Sequence, residues 1–386
     1  MGDDNTEASN RPTLQELLGY FVRLGALGFG GPVVLCEHMR RDLVETRRWI
    51  TSEEYSEGFA LSQLAPGPLA AQLAIYVGWA CGGVAWATWV GVAFVLPSFL
   101  IVLGLAAVYL AYGGISWIQG AFYGVGAGVI AIMAISSFRL VTKTFKRDWL
   151  LWAVGGVSII TTIWTESENL YLFLAAGALV FVARRRSTSV MSVFPAWLFS
   201  GLPGLGGETE LAKLFTFFIK SGAVVFGSGL AIVPFLHSGV VLEHQWLNER
   251  QFLDSVAVAM ITPGPVVITV AFIGYLVSGL IGAVVSALGV FLPCYLFVII
   301  PAPYFKKFAQ NKSIRDVVEG ITAAAIGAIA GATVVLARRA LIDWVTIIIC
   351  ITALIVLLKT KKVPEPVLIL LAGIIGVLLK SSWEFG

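Results

Sequence analysis

Two copies of Pro-Gly-Pro, Pro66-Gly67-Pro68 and Pro263-Gly264-Pro265, interrupt strongly apolar sequence. Nine residues before each lies a carboxylate, Glu57 (66 − 57) and Asp254 (263 − 254). Further upstream each has a cation, Arg23 or Lys220, followed by a glycine-rich stretch, "GALGFGGP" from Gly25 or "GAVVFGSG" from Gly222. These residue types suit the binding of an oxyanion. Proline at the first helical position needs no N–H, and glycine lets backbone approach closely. A helix restarting after Pro-Gly-Pro would offer the N–H groups of Leu69–Ala71, or of Val266–Ile268, at the positive end of its dipole. Arg23 could add a bidentate donor and Lys220 a compact charge. The substrate-binding candidates are Arg23, Gly28, Phe29, Gly30, Gly31, Pro66, Gly67 and Pro68, with Lys220, Phe226, Gly227, Ser228, Gly229, Pro263, Gly264 and Pro265 as their counterparts. Glu57 and Asp254 are the candidates for proton coupling, because ionisable groups inside a membrane commonly form proton relays. Plainer roles compete: the cations could snorkel, the glycines could pack helices tightly, and the carboxylates could stabilise helix starts.

The elements that hold these residues belong in a membrane. Of 386 residues 58% are hydrophobic and 13% charged, with a mean hydropathy of +0.88; soluble domains carry roughly a quarter charged residues. The chain is also duplicated. An offset of 197 maps Gly67 to Gly264 (264 − 67), Gly25 to Gly222, Phe29-Gly30 to Phe226-Gly227, Trp49 to Trp246, Arg23 to Lys220 and Glu57 to Asp254. With one residue dropped, Gly78 maps to Gly274 and Pro97 to Pro293. The expected division is a polar tail at 1–13, a first membrane repeat at 14–184, a linker at 185–210 and a second membrane repeat at 211–380.

Lys and Arg in short loops mark the cytoplasmic side. In the first half "RRDLVETRR" (40–48), "RLVTKTFKR" (139–147) and "RRR" (184–186) are basic, whereas 111–116 and 165–169 are not. The second half reverses this: 306–315 and 359–362 are basic, and 237–249 has neither Lys nor Arg before Glu249. Arg338-Arg339 alone resists the scheme. The halves are expected to be inverted. An odd number of crossings must separate loop 40–48 from loop 111–116, yet two apolar segments lie between them. The segment broken at Pro-Gly-Pro should therefore enter and return on one side, with legs of about 18 Å each. The expected fold is an all-α polytopic membrane protein with two inverted-topology repeats, about ten crossing helices and two re-entrant Pro-Gly-Pro hairpins.

Other chemistry finds little support. Four scattered cysteines and three histidines show no metal-ligand spacing, and no phosphate loop or Ser/His/Asp grouping appears. No cofactor, metal site or catalytic residue is expected, and the formal charge of +3 carries no nucleic-acid message. The N-terminus lacks the basic segment of a signal peptide. The expected partners are an oxyanion and the lipid bilayer, with room for a homodimer.

Four segments, "GALGFGGP", "QLAPGPLAAQLAIYVGW", "VFGSGLAIVPFL" and "ITPGPVVITVAFIGY", resemble the paired motifs of the chromate ion transporter family in its long, two-half form. The resemblance spans about 14–380. It implies export of chromate, a sulfate-like dianion, across the cytoplasmic membrane of a prokaryote, driven by the proton gradient or membrane potential, with chromate resistance as the outcome. A general sulfate or molybdate-type carrier and an uncoupled anion channel remain open as alternatives. In one respect the halves differ: Phe29-Gly30-Gly31-Pro32 stands opposite Phe226-Gly227-Ser228-Gly229.

Overall fold

A computed structural model describes residues 11–29, 31–112, 116–166, 170–184, 209–224, 226–227, 232–305, 312–359 and 365–383. The expected linker, apart from its last residues, and Gly30, Ser228 and Gly229 lie outside these. The described chain is almost wholly α-helical, and four helical stretches are long and apolar enough to cross a membrane, with shorter apolar helices beside them.

Helix α1 (Leu14–Leu27) starts at a capping box between Thr13 and Glu16 and stops at Gly28, whose backbone is extended (φ −79°, ψ 102°). Helix α2 (Gly31–Met39) continues through a π-helical segment, Arg40–Thr46. The sequence leads one to expect a single crossing helix unwound at its glycines. Instead the two arms fold back on each other. Tyr20 Oη donates to Asp42 Oδ2 at 3.4 Å, and the Arg47 guanidinium lies 5.7 Å from the Tyr20 ring and 4.6 Å from Trp49. A continuous helix would put Tyr20 and Asp42 about 33 Å apart at 1.5 Å per residue.

The Pro-Gly-Pro hairpin follows as expected. Helix α3 (Ser52–Leu64), capped by Thr51 and Glu54, leads to Gly67–Pro68 (β1), and α4 (Leu69–Tyr112) leads away. Gly58 of α3 sits against the Tyr76 ring of α4, and Tyr76 Oη donates to Glu57 Oε2 at 3.3 Å. The chain reverses again inside α4, at Gly82 and Gly83, where Gly83 has φ +75°. Gly78 consequently lies against Ala87. α4 is thus a return leg followed by a crossing helix. Helices α5 (Ser116–Phe145), α6 (Trp149–Thr165, N-capped by Asp148) and α7 (Leu170–Arg184) complete this half.

The second half repeats the plan. Helix α8 (Glu210–Val224), the pair Phe226–Gly227 (β2), α9 (Ile232–His237) and a π-helical segment (Ser238–Glu243) form the first hairpin. Trp246 Nε1 closes it on Glu210 at 2.8 Å. Helix α10 (Glu249–Ile261) and α11 (Thr269–Ile299) form the second, and α11 reverses at Ser278-Gly279. Helices α12 (Lys312–Ala340), α13 (Trp344–Lys359) and α14 (Glu365–Trp383) follow. The described chain therefore holds eight segments placed to cross and four hairpins, where ten crossings and two hairpins were expected.

The later helices interlock. α12 packs on α6 and α7 of the first half, while α5 packs on α13 and α14 of the second. Close backbone approach at small residues supports these contacts: Gly327 lies on Gly155 and Gly331 on Ile159, so α6 and α12 run parallel. At the start of both, Arg184 binds Asp148 (2.5 Å), Asp316 (2.9 Å) and Glu319 (2.6 Å). At the end of both, Arg339 binds Glu166 and Glu249. These clusters mark the Arg184 face and the Arg339 face. α5 begins at the Arg339 face, where Tyr123 Oη donates to Asp343, and ends beside Asp148 at the other. The equivalent helices α5 and α12 thus run in opposite senses. They touch through the equivalent pair Ser137 and Thr333 (333 − 137 = 196), hydroxyl to hydroxyl at 3.1 Å and buried. Chain tracing then puts both hairpins of the first half on the Arg184 face and both of the second on the Arg339 face. Arg184 and Glu210 accordingly lie at opposite faces.

Candidate functional site

The four hairpin tips meet. Gly67 and Pro68 pair as a parallel two-residue ladder with Phe226 and Gly227. On the other side of the pseudo-axis the Gly264 N–H donates to the Gly28 carbonyl at 2.9 Å. Each Pro-Gly-Pro is therefore joined to the glycine-rich break of the opposite half. Glycine is required at both centres: Gly67 has φ +139° and Gly264 φ +91°, and a Cβ on Gly264 would stand 1.9 Å from Ser98 Oγ. Ser98 Oγ itself donates to the Gly25 carbonyl at 3.2 Å.

The two tips differ in detail. α4 starts directly at Leu69, so Leu69–Ala71 supply first-turn N–H groups that lack acceptors within their own helix. In the second half a 3₁₀ turn, Val266–Ile268, precedes α11, and the Ile268 N–H is bonded to the Pro265 carbonyl at 3.0 Å. The expected donor set at that tip is thus reduced. Gln72 was not expected as a site residue. It is fully buried, its Nε2 donates to the Pro66 carbonyl at 2.7 Å, and its Oε1 has no partner. The signal in the sequence was a polar residue near the start of each returning leg, Gln72 in one and Thr269 in the other (269 − 72 = 197).

The expected cations do not sit at the tips. Arg23 and Lys220 are exposed and form no ion pair among the described residues. Arg23 lines a cavity of about 520 Å³ between the legs of the first hairpin, with Tyr20, His38, Asp42 and Arg47 towards its mouth and Gly28 at its floor. The cavity leads from the Arg184 face to a tip. Two of its acids are already engaged: Asp42 with Arg41 at 3.2 Å and Glu16 with the Thr13 N–H at 2.8 Å. In the second hairpin aromatic rings pack at the equivalent positions. Phe217, in the place of Tyr20 (217 − 20 = 197), stacks on Phe235, which replaces His38, at 5.7 Å. His244, in the place of Arg47, stacks on Trp246 at 4.3 Å.

The two carboxylates sit in the entering legs. Glu57 is half-buried against Tyr76 of its own hairpin. Asp254 is only 3% exposed and accepts from Tyr109 Oη, on a helix of the opposite half, at 2.8 Å. Among the described residues no cluster could hold a metal ion.

The sequence profile described as "Chromate transporter" matches twice, over residues 15–182 and 212–377. The chain belongs to that family. It is 54% identical to the chromate transport protein of Cupriavidus metallidurans, covering 95% of this chain and 93% of that one. It is 52% identical to a probable chromate transport protein of Synechococcus elongatus, with 96% of both covered. An uncharacterized transporter of Bacillus subtilis, 26% identical, matches 45% of this chain over 91% of its own length. Such a half-length relative corresponds to one copy of the duplication. No solved structure matches this chain.

Proposed function

We propose that this protein is a secondary active transporter that exports chromate, or an equally sized dianion such as sulfate, from the cytoplasm and so confers chromate resistance. The carrying observation is the crossed joining of four re-entrant tips, from two oppositely running halves, at one place in the molecule. Non-helical backbone at membrane depth is tolerated where it is buried in protein or lines a cavity. Half-helices meeting between inverted repeats are the usual frame of a transporter's substrate site. The family membership and the names of the full-length relatives support chromate as the substrate.

The repeats are taken as 14–184 and 211–380 with 185–210 between them, in the inner membrane of a prokaryote. The Arg184 face is assigned to the cytoplasm, because the basic loops 40–48 and 139–147 lie there. One earlier exception now has a cause: Arg339, on the opposite face, is matched by Glu166 and Glu249. The polar cavity would then admit the anion from the cytoplasm, with Arg23 and Arg47 compensating its charge and the N–H groups of Leu69–Ala71 receiving it at the tip. Lys220 would serve the exit side. Glu57 and Asp254, in legs that start on opposite faces, would exchange protons with the two compartments.

Accumulation of labelled chromate by inverted membrane vesicles, with and without a proton gradient and competing sulfate, tests this reading. Gradient-dependent accumulation is expected. Equilibration without accumulation would replace it with a channel, and accumulation of sulfate alone would replace chromate.

A further inference from the structure

The two faces of the molecule are held differently. At the Arg339 face, one guanidinium at the end of α12 joins Glu166, at the end of α6, to Glu249, at the start of α10. The second carboxylate oxygen of Glu249 lies 2.8 Å from His237 Nε2, so α9 is tied in as well. Arg250 of α10 reaches Gln119 of α5 at 3.4 Å, and Asp254 meets Tyr109 one turn further in. α10 also packs along α5 and α14. The hairpins of the second half are thus strapped to the interlocked long helices.

At the Arg184 face the positions equivalent to this strap carry other residues. Glu249 corresponds to Ser52 (249 − 197) and His237 to Arg40 (237 − 197). Ser52 carries no charge, and Arg40 pairs within its own hairpin, with Glu37 at 2.8 Å and Glu45 at 2.9 Å. Arg184 joins α6, α7 and α12 to one another without reaching a hairpin. The polar cavity opens on this face. Two sequence-related halves that meet the same long helices in two ways describe the two ends of one movement.

We infer that the Arg339–Glu249 contact is the latch that closes the Arg339 face in this conformer, and that transport requires it to break while the first-half hairpins close against α12 and α7. This rests on the transporter reading only for its direction; the latch itself is a property of the hairpin and long-helix contact. Arg339 acts through the position of α10, not by touching the anion.

The test uses the full chain in vesicles, with native cysteines replaced. Two reporters are needed. Leu27→Cys lies in the open cavity and Ala257→Cys lies buried on α10, three residues beyond Asp254. Arg339→Gln should lower impermeant-thiol labelling of Leu27→Cys from the Arg184 face and raise labelling of Ala257→Cys from the Arg339 face, each about five- to tenfold. Arg339→Glu with Glu249→Arg should restore both rates. Unchanged rates, or a rise at both reporters from both faces, would overturn the latch, the latter showing that Arg339 merely holds the fold. As an independent measurement, bridging Glu249→Cys and Arg339→Cys with a bifunctional thiol reagent about as long as the Arg–Glu pair it replaces should stop transport and keep Leu27→Cys reactive. Continued transport with that bridge formed would overturn the inference even if chromate proves to be the wrong substrate.

Discussion

The opening hairpins of the two halves share a plan and a break in the same place, yet one carries a polar cavity and the other stacks aromatic rings at the matching positions. Tyr20, His38 and Arg47 in the first become Phe217, Phe235 and His244 in the second. Three exchanges replace polar cavity-lining groups with stacked rings. Duplication preserved Pro-Gly-Pro and Phe-Gly at the tips, while Gly28, Gly31 and Pro32 became Val225, Ser228 and Gly229 and the side chains between the legs diverged. An inverted pair with identical halves would present the same surface to both compartments. Unequal halves present unlike surfaces at the two ends.

The tips should be the most sensitive point of this comparison. Gly264→Ala combines a left-handed backbone with a Cβ pressed on Ser98, itself bonded to Gly25, and should lose transport and about 3 kcal/mol of stability. Gly67→Ala meets the end of a movable Gln72 side chain instead, so it should be milder and improve when Gln72 is shortened to Ser. Thermal unfolding and vesicle transport measured together separate the two. Equal damage at both would mean that the tips are equivalent after all.

Arg23→Gln removes one charged hydrogen-bond donor from the cavity, worth about 1.5–3 kcal/mol where water is scarce. Arg23 is exposed, so the lower end applies, and KM should rise about tenfold. Lys220→Gln, in the hairpin whose matching positions are aromatic, should change KM less than Arg23→Gln under inward loading. The reverse order would place the loading side in the second half. Glu57→Gln and Asp254→Asn are expected to leave anion binding intact while gradient-driven accumulation and its pH dependence fall. Unchanged pH dependence with lower stability would make them structural.

The smallest effect belongs to the Arg184 cluster. Burial disfavours a charged Asp148, but Arg184 and the Leu150 N–H outweigh it and hold the carboxyl below its usual range. A depressed folded value gives stability that is present above the unfolded value, near pH 4, and is lost as pH falls through the folded one. The contribution is about 1 kcal/mol or less for so exposed a pair. Acid unfolding should begin at a slightly higher pH in Arg184→Gln.

Much of this was legible in the sequence. The constant offset between rare residues exposed the duplication, and loop charges placed the first Pro-Gly-Pro hairpin correctly between residues 48 and 111. The first hairpin was not legible. Leu14–Leu27 and Gly31–Thr46 together have the length of one crossing helix, and glycines suit an unwound span as well as a tip. No loop before residue 40 carries the charge that would have told the two apart. The expected count of five crossings per half was therefore one too many, and inversion survives with four because Arg184 and Glu210 stand at opposite faces. Arg23 and Lys220 stand at equivalent positions, but their unequal surroundings depend on Phe217 and Phe235, whose packing only the fold shows. Gln72 acts through a backbone carbonyl, and spacing does not announce such a partner.

The central claim is that four hairpins, two from each face, meet at their tips. Cysteine labelling from each side of the membrane at Gln15, Thr46 and Glu243 tests it most directly, because all three positions are exposed and Thr46 and Glu243 are equivalent (243 − 46 = 197). Gln15→Cys and Thr46→Cys should react from the cytoplasmic side alone, and Glu243→Cys from the outer side alone. Labelling of Gln15 and Thr46 from opposite sides would show that the first segment crosses, and labelling of Thr46 and Glu243 from one side would show that the halves are not inverted.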